Sequence, residues 1–275
     1  MIKTIVITGA GGVLCSTLAK ALAKEGNRIA ILDLKADVAQ QVANEICNDG
    51  GKAIGLKANV LEKESLLRAK ETINEVFGKC DILINGAGGN HPLGTTSKPF
   101  LEVDDLEKKQ EDLKTFFDLD FKGIEFVFNL NFLGTLMPSQ VFAKDMIGRN
   151  GCSILNISSM NAYTPLTKIP AYSGAKAAVS NFTKWLAVHF SKVNIRVNAI
   201  APGFFLTNQN RTLLTNKDGS LTERGQQIME QTPMGRFGKP EDLISSVLFL
   251  CNDASEFITG VIIPIDGGFS AYSGV

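Results

Sequence analysis

The chain of 275 residues is long enough for one large domain or two small ones, and its 44% hydrophobic and 20% charged residues are typical of a globular protein. Because 28 Lys and Arg residues balance 28 Asp and Glu residues, no charge excess points to nucleic acid or an anionic membrane as a partner. The five cysteines form no CxxC pair and there are only two histidines, so we expect no metal site of the usual zinc spacing.

Scattered thiols favour a reducing compartment, and we expect the protein to be cytoplasmic. The first residues, MIKTIVITGA, lack the charged region, apolar stretch and cleavage site of a signal peptide. No run approaches about 18 apolar residues, so we expect no membrane span.

Apolar runs alternate with amphipathic stretches from the first residues onward. Runs that predict strands lie at Lys3–Thr8, Arg28–Asp33, Lys52–Ala58, Asp81–Ile84, Ser153–Ile157, Ile195–Ile200 and Gly260–Ile265. Stretches that predict helices lie between or beside them, at Val13–Glu25, Ala36–Asn48, Lys63–Phe77, Asp104–Phe117, Ile124–Met146, Ala171–Phe190, Thr222–Gln231 and Pro240–Cys251.

This alternation indicates parallel βαβ units in a sheet that helices cover on both faces. Since no Pro/Gly-rich linker interrupts the chain, we predict a single α/β domain over residues 1–275, a three-layer, doubly wound parallel sheet of the Rossmann type. Two segments, near residues 89–119 and 204–222, are too long for tight connections, and we expect them to form loops at a substrate site.

The sequence Thr8-Gly9-Ala10-Gly11-Gly12 joins the first predicted strand to the first helix, where a Rossmann fold binds pyrophosphate. Glycines let the backbone approach the phosphates, and the helix N-terminus supplies unpaired N–H groups. Asp33 ends the second strand, where a carboxylate can hydrogen-bond the adenine ribose and would repel a 2′-phosphate. We therefore favour NAD(H) over NADP(H), although Lys35 is a nearby cation that a phosphate could use.

Tyr172 and Lys176 are four residues apart at the start of a predicted helix and share one of its faces. A nearby ammonium lowers the pKa of a phenol, which predicts a general acid/base usable near neutral pH. Ser159 follows the fifth strand and offers a hydroxyl to a substrate oxygen. Asn131, inside the preceding long helix, could hold a water next to Lys176.

Together these motifs resemble the short-chain dehydrogenase/reductase family, over essentially the whole chain. The matching segments are the Gly-rich turn at 8–12, NGAG at 85–88, NFLG at 131–134, ISS at 157–159, YSGAK at 172–176, RVNAIAPG at 196–203 and DGG at 266–268. The resemblance implies a nicotinamide-dependent oxidoreductase in which Tyr172 is the acid/base and Ser159 polarises the reacting oxygen. It also implies that Lys176 binds the nicotinamide ribose and tunes Tyr172, and that Asn131 supports a proton relay.

The resemblance extends to the cofactor site. The candidate cofactor residues are Gly9, Gly11, Gly12, Val13, Leu14, Asp33, Asn59, Val60, Asn85, Ala87, Gly88, Tyr172, Lys176, Pro202, Gly203, Phe205 and Thr207. The chain departs from the family in two places. Val13 and Cys15 stand where the usual TGxxxGxG pattern has its second and third glycines, and Asn85-Gly86 replaces the commoner Asn-Asn.

Within the family, the chain resembles the D-mannonate oxidoreductase (fructuronate reductase) branch, in segments such as NGAGGNHP at 85–92, FFDLD at 116–120 and PGFFLTNQNRTLL at 202–214. A sugar acid needs polar groups for its hydroxyls and a cation for its carboxylate. The candidate substrate residues are Asn90, His91, Asn161, Lys168 and Arg211, with Lys168 or Arg211 as the carboxylate partner; the loop also offers Asn208, Gln209 and Asn210.

Other functions remain open at this point. Another short-chain reductase is the main alternative, such as a gluconate 5-dehydrogenase or a 3-oxoacyl-carrier-protein reductase; the acyl reductase expects NADPH, which Asp33 disfavours. A non-catalytic NAD-binding regulator is disfavoured because Asn131, Ser159, Tyr172 and Lys176 are all present. The resemblance also implies a homotetramer or homodimer built through the long helices, roughly residues 120–147 and 171–190.

Overall fold

A computed structural model describes residues 2–107, 112–207 and 211–274. Within them, seven strands form one parallel sheet. The strands are β1 (Thr4–Thr8), β2 (Arg28–Asp33), β3 (Lys52–Lys57), β4 (Ile82–Asn85), β5 (Cys152–Ile157), β6 (Ile195–Pro202) and β7 (Ile262–Ile265).

Helices connect these strands. They are α1 (Val13–Lys24), α2 (Ala36–Asn48), α3 (Lys63–Val76), α4 (Val103–Glu107), α5 (Phe121–Phe128), α6 (Gly134–Met146), α7 (Pro170–Phe190), α8 (Arg211–Leu214), α9 (Glu223–Glu230) and α10 (Ile244–Cys251). In the described part of the chain, none is long and apolar enough to cross a membrane.

The strand order is β3-β2-β1-β4-β5-β6-β7, so the chain winds outward in one direction from β1 and in the other from β4. The predicted doubly wound Rossmann sheet is confirmed. In such a sheet a crevice opens beyond the carboxyl ends of the two strands at which the winding reverses. The turns after β1 and β4 therefore border the same crevice.

Two apolar clusters, one on each face of the sheet, form the core. One packs α1, α2 and α10 against the sheet, and the other packs α3, α6 and α7. Because both faces are covered, β1 and β6 are buried along their whole length; the centre of β1 is apolar, whereas β6 also buries Arg196 and Asn198.

The region predicted as one helix over Asp104–Phe117 differs from the prediction. The described helix there, α4, covers only five residues, and a separate 3₁₀ turn forms at Phe116–Asp118. Thr115 and Asp118 cap this turn reciprocally: the Thr115 Oγ1 accepts from the Phe117 N–H, and the Asp118 carboxylate accepts from the Thr115 N–H at 2.9 Å. Local capping thus starts a new element where the amphipathic pattern suggested continuity.

The long helix predicted over Ile124–Met146 begins earlier and contains an irregular turn. A π-helical turn at Asn129–Leu133 joins α5 to α6. Such turns insert one extra residue and change the direction in which the following side chains point. Asn131 lies within this turn.

Two backbone hydrogen bonds position the segment between 92 and 121, which we call the insertion. The Asp120 N–H donates to the Leu93 carbonyl at 3.1 Å and joins the two ends of the insertion. The Thr96 N–H donates to the Lys168 carbonyl at 2.9 Å and places the described part of the insertion beside the loop that leads into α7.

Candidate active site

A cavity of about 500 Å³ lies at the crevice between the turns that follow β1 and β4. Its lining brings together the Gly-rich turn, the ends of β2 and β3, and the NGAG turn. The residues that line it are Gly9, Gly11, Gly12, Val13, Leu14, Cys15, Asp33, Leu34, Lys35, Val38, Ala58, Asn59, Val60, Gly86, Ala87, Gly88, Leu130, Ile157 and Thr207.

The Gly-rich turn fits a phosphate group. Gly9 adopts a φ of +62°, and a Cβ there would lie only 2.8 Å from the Ala87 Cα, so a side chain would force the two turns apart. Gly12 precedes α1 in extended conformation, with no side chain capping the helix. The free N–H groups of the first helical turn and the absence of side chains at the turn make a cradle for an anion.

Asp33 lies at the carboxyl end of β2, against this turn. One of its carboxylate oxygens accepts from the Gly11 N–H at 3.0 Å, and the other accepts from the Lys35 N–H at 3.1 Å. The two bonds fix the carboxylate at the cavity wall. A carboxylate oxygen can accept further hydrogen bonds, so Asp33 can still receive ribose hydroxyls.

Most cofactor candidates from the sequence line this cavity, but six do not: Asn85, Tyr172, Lys176, Pro202, Gly203 and Phe205. The Asn85 side chain is buried behind the NGAG turn, where its amide donates to Ser139 Oγ and to Asn156 Oδ1. Phe205 is buried, and its ring packs so close to Gly238 that a Cβ there would lie 2.7 Å away.

Tyr172, Ser159 and Lys176 are brought together at the start of α7. The Ser159 side chain lies close enough to Tyr172 to lower its pKa. The Lys176 Nζ lies 5.7 Å from the centre of the Tyr172 ring and donates to the Ile157 carbonyl at 2.8 Å. Gly88 connects this group to the cavity, because a Cβ on Gly88 would lie 3.1 Å from the Lys176 Nζ.

The pKa of Tyr172 differs from the sequence expectation. Burial raises the pKa of Tyr172, and the Ser159 side chain lowers it by less. The ammonium of Lys176, which we expected to lower this pKa, is itself buried, and desolvation lowers the pKa of Lys176 to about 8. Burial therefore opposes the charged form of each group.

Asn131 faces the same group from the π-helical turn. Its amide donates to the carbonyls of Gly89 and Val127, both at 2.7 Å, and its Oδ1 accepts from the Gly89 N–H at 3.2 Å. The Asn131 carbonyl accepts from Thr135 Oγ1 at 2.8 Å. These bonds fix the backbone that follows the NGAG turn.

The chain is similar to known proteins over nearly its whole length. A family model described as enoyl-(acyl carrier protein) reductase matches residues 12–270. An uncharacterized oxidoreductase of Haemophilus influenzae is 60% identical over 99% of this chain and 95% of its own length. An uncharacterized oxidoreductase of Bacillus subtilis, UxuB, is 52% identical over 99% of this chain and 96% of its own length.

A crystal structure from Haemophilus influenzae superposes with a TM-score of 0.95 at 60% identity, covering 99% of this chain and 96% of that one. That protein holds bound NAD, and D-mannonate oxidoreductase activity is a hypothesis for it. This chain belongs to the short-chain dehydrogenase/reductase family. It is accordingly an enzyme, an oxidoreductase of that family.

The five substrate candidates of this short-chain dehydrogenase differ in burial and in their hydrogen-bond partners. The His91 ring lies 5.1 Å from the Phe126 ring, and its Nδ1 accepts from the Leu93 N–H at 3.2 Å. In the neutral ring the proton then lies on Nε2, which can donate to a ligand. Asn161 is buried, and its backbone N–H donates to Ser159 Oγ at 3.3 Å.

The other three candidates are more accessible. Asn90 is exposed and donates to Thr95 Oγ1 at 3.0 Å, Lys168 is half-buried, and Arg211 is exposed at the start of α8. The remaining polar loop residues considered from the sequence, Asn208, Gln209 and Asn210, lie outside the described residues.

Two residues of this region were not predicted to have a role. The Thr8 Oγ1 accepts from the N–H groups of Gly86 and Ala87, at 3.1 and 3.3 Å, and so attaches the NGAG turn to the end of β1. Cys15 lines the cavity, and its Sγ occupies the space beside Gly86. A Thr before the Gly-rich turn was visible in the sequence; the position of the Cys15 side chain required the fold.

A larger cavity, of about 960 Å³, lies at the opposite edge of the sheet, near the amino ends of the strands. Three of its cationic groups already have partners: Lys3 pairs with Asp253, Arg149 pairs with Asp81, and Arg196 donates to backbone carbonyls. It is remote from the carboxyl ends of the strands, where this fold binds ligands. Among the described residues, no cluster of His, Cys, Asp and Glu could hold a metal ion.

Proposed function

We propose that this enzyme interconverts D-mannonate and D-fructuronate with NAD(H). The observation that carries the proposal is the similarity, at 60% identity over nearly the whole chain, to a protein with bound NAD for which that activity is a hypothesis. The site residues argue in the same direction, because a secondary alcohol needs an acid/base, an oxygen-binding hydroxyl and a dinucleotide cradle side by side.

The bound nicotinamide supplies hydride to a ketone carbon during reduction and takes it from the alcohol carbon during oxidation. We propose that Tyr172 donates a proton to the ketone oxygen, while Ser159 hydrogen-bonds the same oxygen. The raised pKa of Tyr172 keeps its phenol protonated near neutral pH, which is the state that ketone reduction requires. Oxidation uses the same groups with the proton moving in the opposite direction.

Lys176 and Asn131 support this proton transfer. We assign Lys176 to the nicotinamide ribose, because its Nζ lies beside Gly88, which lines the cavity. A ligand hydroxyl on the Nζ would replace part of the hydration that burial removes. Asn131 holds the Gly89 backbone on the other side of this group and supports a proton relay.

The preference for NAD(H) over NADP(H) rests on Asp33. Its carboxylate is fixed at the end of β2 by the N–H groups of Gly11 and Lys35. A 2′-phosphate at this position would meet a like charge, whereas ribose hydroxyls can donate to it.

For the substrate, we propose that the segments near 89–119 and 204–222 of the single domain form the sugar-acid site. His91 Nε2, Asn90 and Asn161 offer groups for hydroxyls, and Lys168 or Arg211 pairs with the carboxylate. An acyl chain or a steroid would instead need an extended apolar wall.

We further propose that the enzyme forms a homotetramer or homodimer through the long helices. Phe126, Trp185 and Val188 on α5 and α7 are 45%, 57% and 77% exposed, and burying such side chains between copies is favourable. We also propose a cytoplasmic location, since the five cysteines are all free and four of them are buried.

Nicotinamide absorbance on the purified protein tests the function. NADH and NADPH are each combined with D-fructuronate, 5-ketogluconate and an acetoacetyl thioester. We expect rapid oxidation of NADH with D-fructuronate and slower turnover with the other pairs. Preferred turnover of 5-ketogluconate would favour a gluconate 5-dehydrogenase, and preferred turnover of the thioester with NADPH would favour an acyl reductase.

The Tyr172→Phe variant tests the catalytic assignment. It removes one hydroxyl and keeps the ring, so NADH affinity should change by less than about twofold while kcat falls at least about a hundredfold. The Tyr163→Phe variant is the matched control, because Tyr163 is half-exposed and its hydroxyl donates to the Ile262 carbonyl at 3.1 Å. Near-normal turnover of Tyr172→Phe would refute the assignment.

A further inference from the structure

The NGAG turn lies between the phosphate cradle and the catalytic group. On one side, Ala87 packs against Gly9, which has no room for a Cβ. On the other side, a Cβ on Gly88 would lie 2.7 Å from Asn131 Oδ1 and 3.1 Å from the Lys176 Nζ. A shift of this turn by a few tenths of an ångström would therefore change both the cradle and the surroundings of Lys176.

Cys15 determines how closely this turn can approach α1. A Cβ built on Gly86 would lie 2.3 Å from Cys15 Sγ, far inside van der Waals contact, and 2.7 Å from the Thr8 carbonyl oxygen. Cys15 is 5% exposed, and desolvation raises the pKa of its thiol to about 12, so the side chain is neutral and fills space as an apolar group.

The two departures from the family pattern lie in contact with each other. Position 15, where the family usually has a glycine, carries a side chain, and position 86, where the family more often has Asn, carries none. The sulfur occupies the space that a side chain at position 86 would otherwise take. Compared with the family pattern, this chain therefore has a larger side chain at position 15, in α1, and a smaller one at position 86, in the turn after β4.

We propose that Cys15 and Gly86 are a matched pair that fixes the NGAG turn, and with it the spacing between the dinucleotide cradle and Lys176. Cys15 is a positioning residue in this role, because it acts on the cofactor through the turn. The inference rests on the dinucleotide part of the proposed function and is independent of the sugar-acid substrate.

Four variants test the pair, with the Kd for NADH measured by fluorescence in the absence of any substrate. Gly86→Ala forces a Cβ against the sulfur and should raise the Kd at least about tenfold. Cys15→Gly leaves a gap beside the turn and should raise it about threefold. Cys15→Ser keeps nearly the same volume and should stay within about twofold of the wild type.

The double variant Cys15→Gly/Gly86→Ala is decisive. Removing the sulfur makes room for the new Cβ, so this variant should bind NADH at least about threefold more tightly than Gly86→Ala alone. Recovery should be incomplete, because the Thr8 carbonyl still lies 2.7 Å from the new Cβ. A double variant as weak as Gly86→Ala, or weaker, would overturn the proposal.

Two matched controls separate positioning from general stability. Cys251→Gly removes a cysteine with the same 5% exposure from α10, and Gly51→Ala places a Cβ 2.7 Å from Ile46 Cγ2 and 3.0 Å from the Ile46 carbonyl, away from the cavity. Both should lower Tm and leave the Kd for NADH within about twofold of the wild type. Circular dichroism at the assay temperature checks that every variant is folded.

The pH dependence of kcat is a second test of the proposed pair. Gly86→Ala should move the pH of half-maximal kcat relative to the wild type, because the turn contacts the surroundings of Lys176, and the double variant should move it back. If Gly86→Ala and Cys15→Gly lowered only Tm, with unchanged Kd and pH profile, the pair would be merely structural and the proposal wrong. Normal NADH binding without turnover of D-fructuronate would reject the proposed substrate and leave this result valid.

Discussion

Asp33 is the residue on which cofactor choice should depend. Its carboxylate accepts from two backbone N–H groups, so it is held in place before any ligand binds, and its charge faces the cavity. We predict that Asp33→Ser lowers kcat/KM with NADH about tenfold and raises kcat/KM with NADPH about tenfold, each corresponding to about 1.4 kcal/mol. Initial rates with each cofactor at saturating ketone check this.

Lys35 and Asp37 help to interpret the effect of Asp33→Ser on cofactor preference. Lys35 follows at the same cavity and becomes available to a 2′-phosphate once the like charge is removed. Asp37→Ser, in the exposed first turn of α2, removes an equal charge without contact with the cradle and should leave the ratio of the two cofactors unchanged. If Asp33→Ser left the ratio of kcat/KM with NADH to kcat/KM with NADPH unchanged, Asp33 would not determine which of the two cofactors binds.

At the scale of elements, a buried carboxylate makes one of the contacts that stabilise the insertion between 92 and 121. The Asp105 side chain is 3% exposed, pairs with the Lys98 Nζ at 2.5 Å and accepts from the Glu102 N–H at 3.0 Å. The hydrogen bond from Lys98 holds the pKa of Asp105 below its ordinary value. We predict that Asp105→Ala raises KM for the ketone several-fold while the Kd for NADH changes by less than about twofold, because the insertion borders the loop before α7 and not the cradle.

Glu102 offers an internal control, since it pairs with the same Lys98 at 3.5 Å but is 70% exposed. Exposed pairs contribute little, so Glu102→Ala should leave both constants near their wild-type values. Equal effects of the two variants on KM would mean that the charge of Lys98, rather than the buried contact with Asp105, matters for the substrate.

The elements themselves were largely predictable, because strands covered on both faces read as apolar runs and their helices carry regular spacing. The prediction was wrong at Asp104–Phe117, where the Thr115–Asp118 caps start a new turn inside an amphipathic pattern. The π-helical turn around Asn131 was also not predictable, since apolar spacing is similar for an α-helix with and without one extra residue.

The candidate site was likewise predictable from the sequence only in part. Motif residues such as Tyr172, Ser159 and Lys176 could be grouped from the sequence because they follow adjacent strands or share a helix face. The pKa shifts of these residues could not be predicted from the sequence. The raised pKa of Tyr172 and the lowered pKa of Lys176 come from burial, which only the packed structure defines. The contact between Cys15 and Gly86 joins residues 71 positions apart and likewise needed the fold.

For the whole molecule, the buried Lys176 should make the cofactor-free protein less stable than its core would allow. Desolvation lowers its pKa from 10.5 to about 8, so below pH 8 folding must bury a charge that the unfolded chain leaves in water. We predict that Lys176→Met abolishes turnover yet raises the free energy of unfolding at pH 7 by about 1–3 kcal/mol. The gain is smaller than the full shift implies, because the hydrogen bond to the Ile157 carbonyl is lost.

The pH dependence of this difference identifies its origin. Between pH 8 and 10.5 the unfolded wild type keeps the proton that the folded state has released, so the Lys176 contribution to wild-type stability rises with pH and the advantage of Lys176→Met shrinks. The buried thiols contribute equally to the pH dependence of stability in both proteins, so the difference between the two proteins does not contain their contribution. Denaturant titrations of both proteins without nicotinamide check this, with Lys144→Met on the exposed side of α6 as control. A variant no more stable than wild type at pH 7, or an advantage that persists at pH 10, would mean that Lys176 is solvated or paired in the folded state.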